Sequence, residues 1–172
     1  MNDTMRRPPI LPTAESFGHN LRHTNRLIQR DLGTRVVRMG LNIAQWYALR
    51  TLWETDGVTQ IELAQRSGIA GPAMVTAVRG LLAMGLVTRH RPDNDKRKYV
   101  ILLTEKGWAL QNPALKAAME ANAIALQGIP PEDVATCLRV LRAAHANLTA
   151  VAQEAANPAA DAADRLIGDA QG

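Results

Sequence analysis

The tightest constraint on this chain lies between residues 59 and 103, where two short helices and a hairpin must follow one another almost without slack. Thr59-Gln-Ile-Glu62 is a capping-box pattern, a hydroxyl that accepts an N–H three residues on and a carboxylate that reaches back. It predicts a helix over 60–66, and Ser67-Gly68 supplies the turn that ends it. Pro72 suits the first turn of a second helix over 72–84, in which Met74, Val78 and Leu81 recur at i, i+4 and i+7 and face inwards. Gly85 stops that helix. Residues 86–91 and 98–103 then read as strands around Pro92-Asp93-Asn94-Asp95, which is strong turn chemistry. Two short helices joined by a glycine turn make a helix-turn-helix, and the hairpin that follows has a basic tip.

The flanks are helical. Phe17, Leu21, Thr24, Ile28 and Leu32 keep helical spacing, predicting a first helix from Thr13 to about residue 37 that Gly40 breaks. Asn42 and Gln45 form a reciprocal cap for a second helix, whose stripe of Trp46, Leu49, Leu52 and Trp53 ends at Asp56-Gly57. Beyond Thr104 a fifth helix is expected to about residue 126 with a kink at Pro113, and Pro130-Pro131-Glu132 opens a sixth to about 154. Those last two carry Ala121, Ile124, Leu138, Leu141 and Leu148, more apolar surface than a small domain can cover, so a second chain is expected on it. Residues 1–12, with Pro8, Pro9 and Pro12, read as an extended arm, and 156–172 as a frayed tail.

At 172 residues, 47% of them apolar, the chain is long enough for one compact domain with a helical appendage. Its formal charge of +4 is concentrated: 59–104 holds seven basic residues against three acidic ones, which is the whole excess. Such a segment suits a polyanion. With no apolar run of membrane-spanning length and no signal core, a cytoplasmic protein is expected. Cys137 is the lone cysteine, too few for a disulfide or a structural zinc site, and its helical setting reads as buried.

The residues at the joints resemble the MarR family over roughly 14–150. The matching fragments are Leu41-Asn-Ile-Ala-Gln-Trp46 with Leu49, Gln60-Ile-Glu-Leu-Ala64, and Leu81 with Gly85-Leu86-Val87. More specific is Arg91-Pro-Asp-Asn-Asp95-Lys96-Arg97 followed by Leu103-Thr104-Glu-Lys-Gly107. The resemblance implies a mainly α (α+β) winged helix-turn-helix with long N- and C-terminal dimerisation helices. In that plan 13–40 and 104–155 form the dimerisation region and 41–103 the DNA-binding lobe. It implies a homodimer in which the first, fifth and sixth helices interlock with a partner's, a palindromic operator on double-stranded DNA, and repression. It also implies a small-molecule pocket between the dimerisation and DNA-binding regions. The recognition helix departs from the family in being poor in Ser and Arg.

On this plan Pro72, Ala73 and Thr76 face a major groove, Thr76 by hydrogen bond and Ala73 by contact with a thymine methyl, while Arg79 meets a phosphate. The resemblance puts Arg97 in the flanking minor groove, oriented by Asp95, with Arg89, Arg91, Lys96 and Lys98 neutralising phosphates. The bland alternative is a solvated helix face and a solvated basic hairpin. His19, Arg22, His23 and Arg26 cluster within two turns of the first helix and suit the carboxylate of an aromatic acid, with Trp46, Arg50 and Trp53 near its ring. A polar helix face at the dimer seam explains the same four residues. Glu15, His19 and His23 also follow metal-ligand spacing, but without a fourth ligand, so no metal or other cofactor is expected. Thiol redox sensing through Cys137, metal sensing, and a winged-helix module for protein contacts are the alternative functions. With two serines, no phosphate-binding glycine loop and no nucleophile–base pair, an enzyme is not expected.

Overall fold

The computed structural model describes residues 12–92, 95 and 97–156. They fall into two compact units, one ending at Ala125 and the other beginning at Leu126. The first unit contains α1 (Phe17–Val36), α2 (Ile43–Glu54), β1 (Val58–Thr59), α3 (Gln60–Ser67), α4 (Gly71–Ala83), β2 (Val87–His90), β3 (Val100–Leu103), α5 (Glu105–Ala109) and α6 (Gln111–Ala125). The second contains α7 (Pro131–Ala156). The strand order is β1-β3-β2, antiparallel throughout, with Val58 opposite Ile101 and Val87 opposite Leu103. This is a mainly helical winged helix-turn-helix.

Local chemistry accounts for most element ends. Both reciprocal caps form: Asn42 accepts from Gln45 N at 2.9 Å while Gln45 Oε1 accepts from Asn42 N, and Thr59 and Glu62 do the same at the start of α3. Gly68 closes α3 and Gly85 follows α4, both at φ +68°, a conformation that glycine adopts without a Cβ penalty. Around them lies one core in which Leu49, Leu52, Leu63, Met74, Val78, Leu81, Leu86 and Ile101 are fully buried. The inward stripe predicted for α4 is the buried one.

The structure differs from the sequence expectation at five places. Thr13 opens a 3-10 turn, Thr13–Glu15, while α1 starts at Phe17; Ser16, in extended conformation, caps it by accepting from His19 N at 3.3 Å. Asn20 Nδ2 then donates to Ala14 O and Ser16 O, both at 2.9 Å, fastening the turn to the helix. The expected kink at Pro113 is a full break: α5 ends at Ala109 and α6 restarts at Gln111. In an unbroken helix the Pro113 ring would strike the Ala109 carbonyl, whereas in the first turn of α6 its missing N–H costs nothing. The two-residue strand β1 was not expected, and the hairpin strands are shorter than the apolar runs suggest. Cys137 is exposed, not buried.

Three side chains pin the helices of the first unit. Arg35 donates to Asp31 at 2.7 Å and to Glu120 at 2.6 Å, linking α1 to α6. Trp46 Nε1 donates to Ala114 O at 3.3 Å and Trp53 Nε1 to Gly107 O at 3.1 Å, linking α2 to α6 and α5. No helix among the described residues is long and apolar enough to cross a membrane.

Candidate functional site

The outward arc of α4 is formed by Pro72, Ala73, Val75, Thr76 and Arg79, all exposed, while Met74, Ala77, Val78 and Leu81 fill the opposite side. Thr76 Oγ1 donates to Pro72 O at 3.2 Å, so the hydroxyl faces outward only as an acceptor. Beside this arc, an apolar recess of about 380 Å³ lies between α3 and α4, walled by Ile61, Ala64, Ile69 and Val75, with Gln60 and Gln65 at its polar edge. Sequence reasoning missed it, although Ile61 and Val75 stand off the buried stripes and were the available signal.

The hairpin sets its cations by short-range contacts. Arg89, on β2, reaches Gln60 Oε1 at 3.5 Å. The Arg91 guanidinium lies 4.5 Å from the centre of the Tyr99 ring, a cation–π geometry. Asp95 Oδ1 accepts from Arg97 N at 3.1 Å and stands 3.5 Å from Arg97 Nε, while its other oxygen is 3.6 Å from Lys98 Nζ. Asp95 thus spaces two cations at the tip, and the Arg97 side chain is 94% exposed. Lys96 lies outside the described residues, as do Asp93 and Asn94 of the turn. The Glu62 carboxyl is held below the usual carboxylate range, first by the Thr59 N–H and then by the Thr59 hydroxyl, with Arg66 and Lys98 adding smaller electrostatic pulls.

The seven residues assigned to an effector do not share one environment. His19 and His23 stack with ring centres 4.3 Å apart, and Arg22, His23 and Arg26 are exposed. The His23 imidazole is held below its ordinary value, chiefly by the charge of His19, then by burial and by Arg22 and Arg26. Trp46 and Trp53 are instead buried, each with its single N–H donated to a backbone carbonyl, and Arg50 is paired with Glu54 at 3.0 Å. Among the described residues no three His, Cys, Asp or Glu side chains converge as metal ligands would.

The profile of the MarR family matches residues 41–99, the segment that runs from the start of α2 through β2 and the hairpin turn and stops just before β3. The homoprotocatechuate degradative operon repressor of Escherichia coli is 37% identical over 86 residues, taking in 50% of this chain and 58% of that protein. The match therefore spans little more than half of that relative's length. Among solved structures, the transcriptional regulator PA3341 is 35% identical with a TM-score of 0.71, over 78% of this chain and 98% of that one. CouR from Rhodococcus jostii, solved with p-coumaroyl-CoA bound, is 25% identical with a TM-score of 0.69, over 77% of this chain and 94% of that one. A likeness that runs through nearly the whole of a solved chain at 35% identity, together with the matched profile, is kinship as well as shared architecture: this chain belongs to the MarR family.

Proposed function

We propose that the chain is a homodimeric, DNA-binding transcription regulator that represses its target and is released by a small aromatic or phenolic carboxylic acid. The observation that carries the reading is the confinement of the net positive charge to 59–104, on a hairpin whose exposed Arg89, Arg91, Arg97 and Lys98 adjoin an exposed helix face. A helix of this kind fits a major groove and an extended arginine a minor one, with lysine and arginine neutralising phosphates around them. Two copies would read a palindrome with half-sites about one helical turn apart. Repression fits the name of the E. coli relative, and a dimer seated over a promoter excludes polymerase by occupying it.

The effector class is supported by the cationic face of α1, where His19, Arg22, His23 and Arg26 offer a carboxylate partner. It is also supported by the phenolic character of the compounds that appear in the names of the E. coli relative and CouR. The buried state of Trp46 and Trp53 moves the expected ring contact elsewhere: the indoles serve the core, and the four α1 side chains carry the proposal. For release, the acid must prefer the DNA-incompetent arrangement of the dimer over the competent one.

The test is a fluorescence-anisotropy titration against the DNA upstream of the protein's own reading frame, at two salt concentrations, with and without a panel of aromatic carboxylic acids. Tight, salt-dependent binding reversed by one acid supports the reading. Affinity no better than for random DNA overturns it. Arg26→Ala or His23→Ala should blunt the response to the acid and spare DNA affinity; a normal response removes α1 from the effector site.

A further inference from the structure

We infer that α4 selects its operator through the 5-methyl groups of thymine, gripped by Ala73, Val75 and the methyl of Thr76, and not through hydrogen-bond donors. The inference rests on the DNA-binding reading above and concerns how that same face chooses a sequence. Recognition helices read base edges with their N-terminal residues. Here that part of the exposed arc is Pro72, Ala73, Val75 and Thr76, none of which carries an N–H donor on its side chain. The one hydroxyl hydrogen on the arc is already given to Pro72 O. What remains is a lone-pair acceptor and apolar surface.

Arg79 is the single side chain of the arc with donors, and it stands seven residues beyond Pro72, about 10 Å further along the helix axis at 1.5 Å per residue. That reach suits a phosphate at the groove edge. Guanine is read in the major groove by a bidentate arginine or lysine on O6 and N7, which the N-terminal part of α4 does not possess. Thymine alone presents an apolar group there, and alanine and threonine methyls are its natural contacts. The recess beside Val75 extends the apolar surface: Ile61, from α3, is 73% exposed and forms its outer wall. Arg66 on α3, Arg79 on α4, Arg89 on β2 and Arg97 at the hairpin tip are all exposed and supply cations for phosphates, so an apolar reading face and a cationic surround suit a groove whose floor carries methyls and whose rims carry phosphates.

The experiment begins with duplexes enriched by the full-length protein from a random-sequence library. Each thymine of the enriched half-site is then replaced singly by 2′-deoxyuridine, which keeps the base pair and removes only the methyl. Affinity should fall about fourfold at each contacted thymine, the factor that burying one methyl-sized group carries. Thr76→Ser keeps the hydroxyl and its bond to Pro72 O, so this variant should bind the thymine and deoxyuridine duplexes equally at one position while keeping the discrimination at the others. Equal affinity of the wild-type protein for the enriched duplex and all its deoxyuridine forms overturns the inference and leaves the DNA-binding reading intact. So does a half-site whose essential positions are guanines. Failure to enrich any sequence overturns the DNA-binding reading itself.

Discussion

Among single residues, two glycines show how closely the first unit is packed. A Cβ at Gly107 would press on the Leu86 backbone carbonyl, which already accepts from Thr104 N at 3.1 Å, and would stand 3.0 Å from Leu103 Cδ2. Backbone cannot step aside, so Gly107→Ala should cost about 3 kcal/mol, the upper end of overpacking losses. At Gly80 a Cβ would press on the side-chain nitrogen of Gln45, which is held in place by the Asn42 cap. Overpacking and a lost cap cost about 2–4 kcal/mol, and the gain in helix propensity from Gly to Ala returns about 1, so Gly80→Ala should lose roughly 1–3 kcal/mol. Denaturant unfolding of the two variants checks the order; a Gly107→Ala variant as stable as the parent would refute the packing argument. Proton balance adds a prediction at His23, whose folded-state pKa lies below the ordinary histidine value. The unfolded chain takes up this proton first as the pH falls, so the contribution of His23 to stability is complete above about pH 6.5 and is lost as the pH drops through the lowered folded value. NMR titration should find the His23 midpoint below that of a free histidine, and His19→Gln should move it upward, since His19 is the main cause. A midpoint unmoved by the substitution would mean that the stacked pair is not what lowers it.

For whole elements, what could be read in the sequence divides by the distance between partners. The caps of α2 and α3 were visible because both halves of each lie within three residues, and the inward face of α4 because helical period alone sets it. β1 was invisible: two residues carry no alternation, and their partner strand comes more than forty residues later. The fates of Trp46 and Trp53 were equally hidden, because the carbonyls of Ala114 and Gly107 that receive their N–H groups lie 68 and 54 residues away. An amphipathic pattern finds the face of α2 that turns inward but cannot distinguish a core wall from a ligand wall. The hairpin was legible as a basic turn, although its anchoring by Gln60 and Tyr99 was not. That anchoring leaves Arg97 as the free end of the element. Arg97→Ala should weaken binding to the cognate duplex by about tenfold to a hundredfold without moving the unfolding midpoint, because the side chain is 94% exposed and its ion-pair partner among the described residues is Asp95. If Arg97 reaches DNA, the salt dependence of the variant should also be shallower; unchanged affinity would remove the wing from the interface.

At the scale of the whole molecule the decisive quantity is apolar surface that the single chain leaves open. On α1, Phe17 and Leu21 are exposed, although the helix is anchored by the buried Leu32 and Val36. On α7, Leu138, Val140, Leu148 and Val151 are exposed along a helix of 26 residues. A helix of that length that leaves so much apolar side chain exposed is not stable in water unless something covers it, since most helical stability in proteins comes from packing an amphipathic face. A second copy of the chain presents the same exposed apolar residues, and a two-fold arrangement lets each cover the other. Truncation after Gly128 removes α7 while leaving the first unit with its own core, from Leu32 to Ala121. The truncated protein should therefore keep a cooperative unfolding transition and sediment as a monomer, whereas the full chain sediments as a dimer. It should also lose affinity for a two-half-site duplex far more than for a single half-site, because only the longer duplex rewards two linked lobes. A truncated chain that still sediments as a dimer would place the interface on the first unit alone, and α7 would then need another reason for its exposed apolar residues.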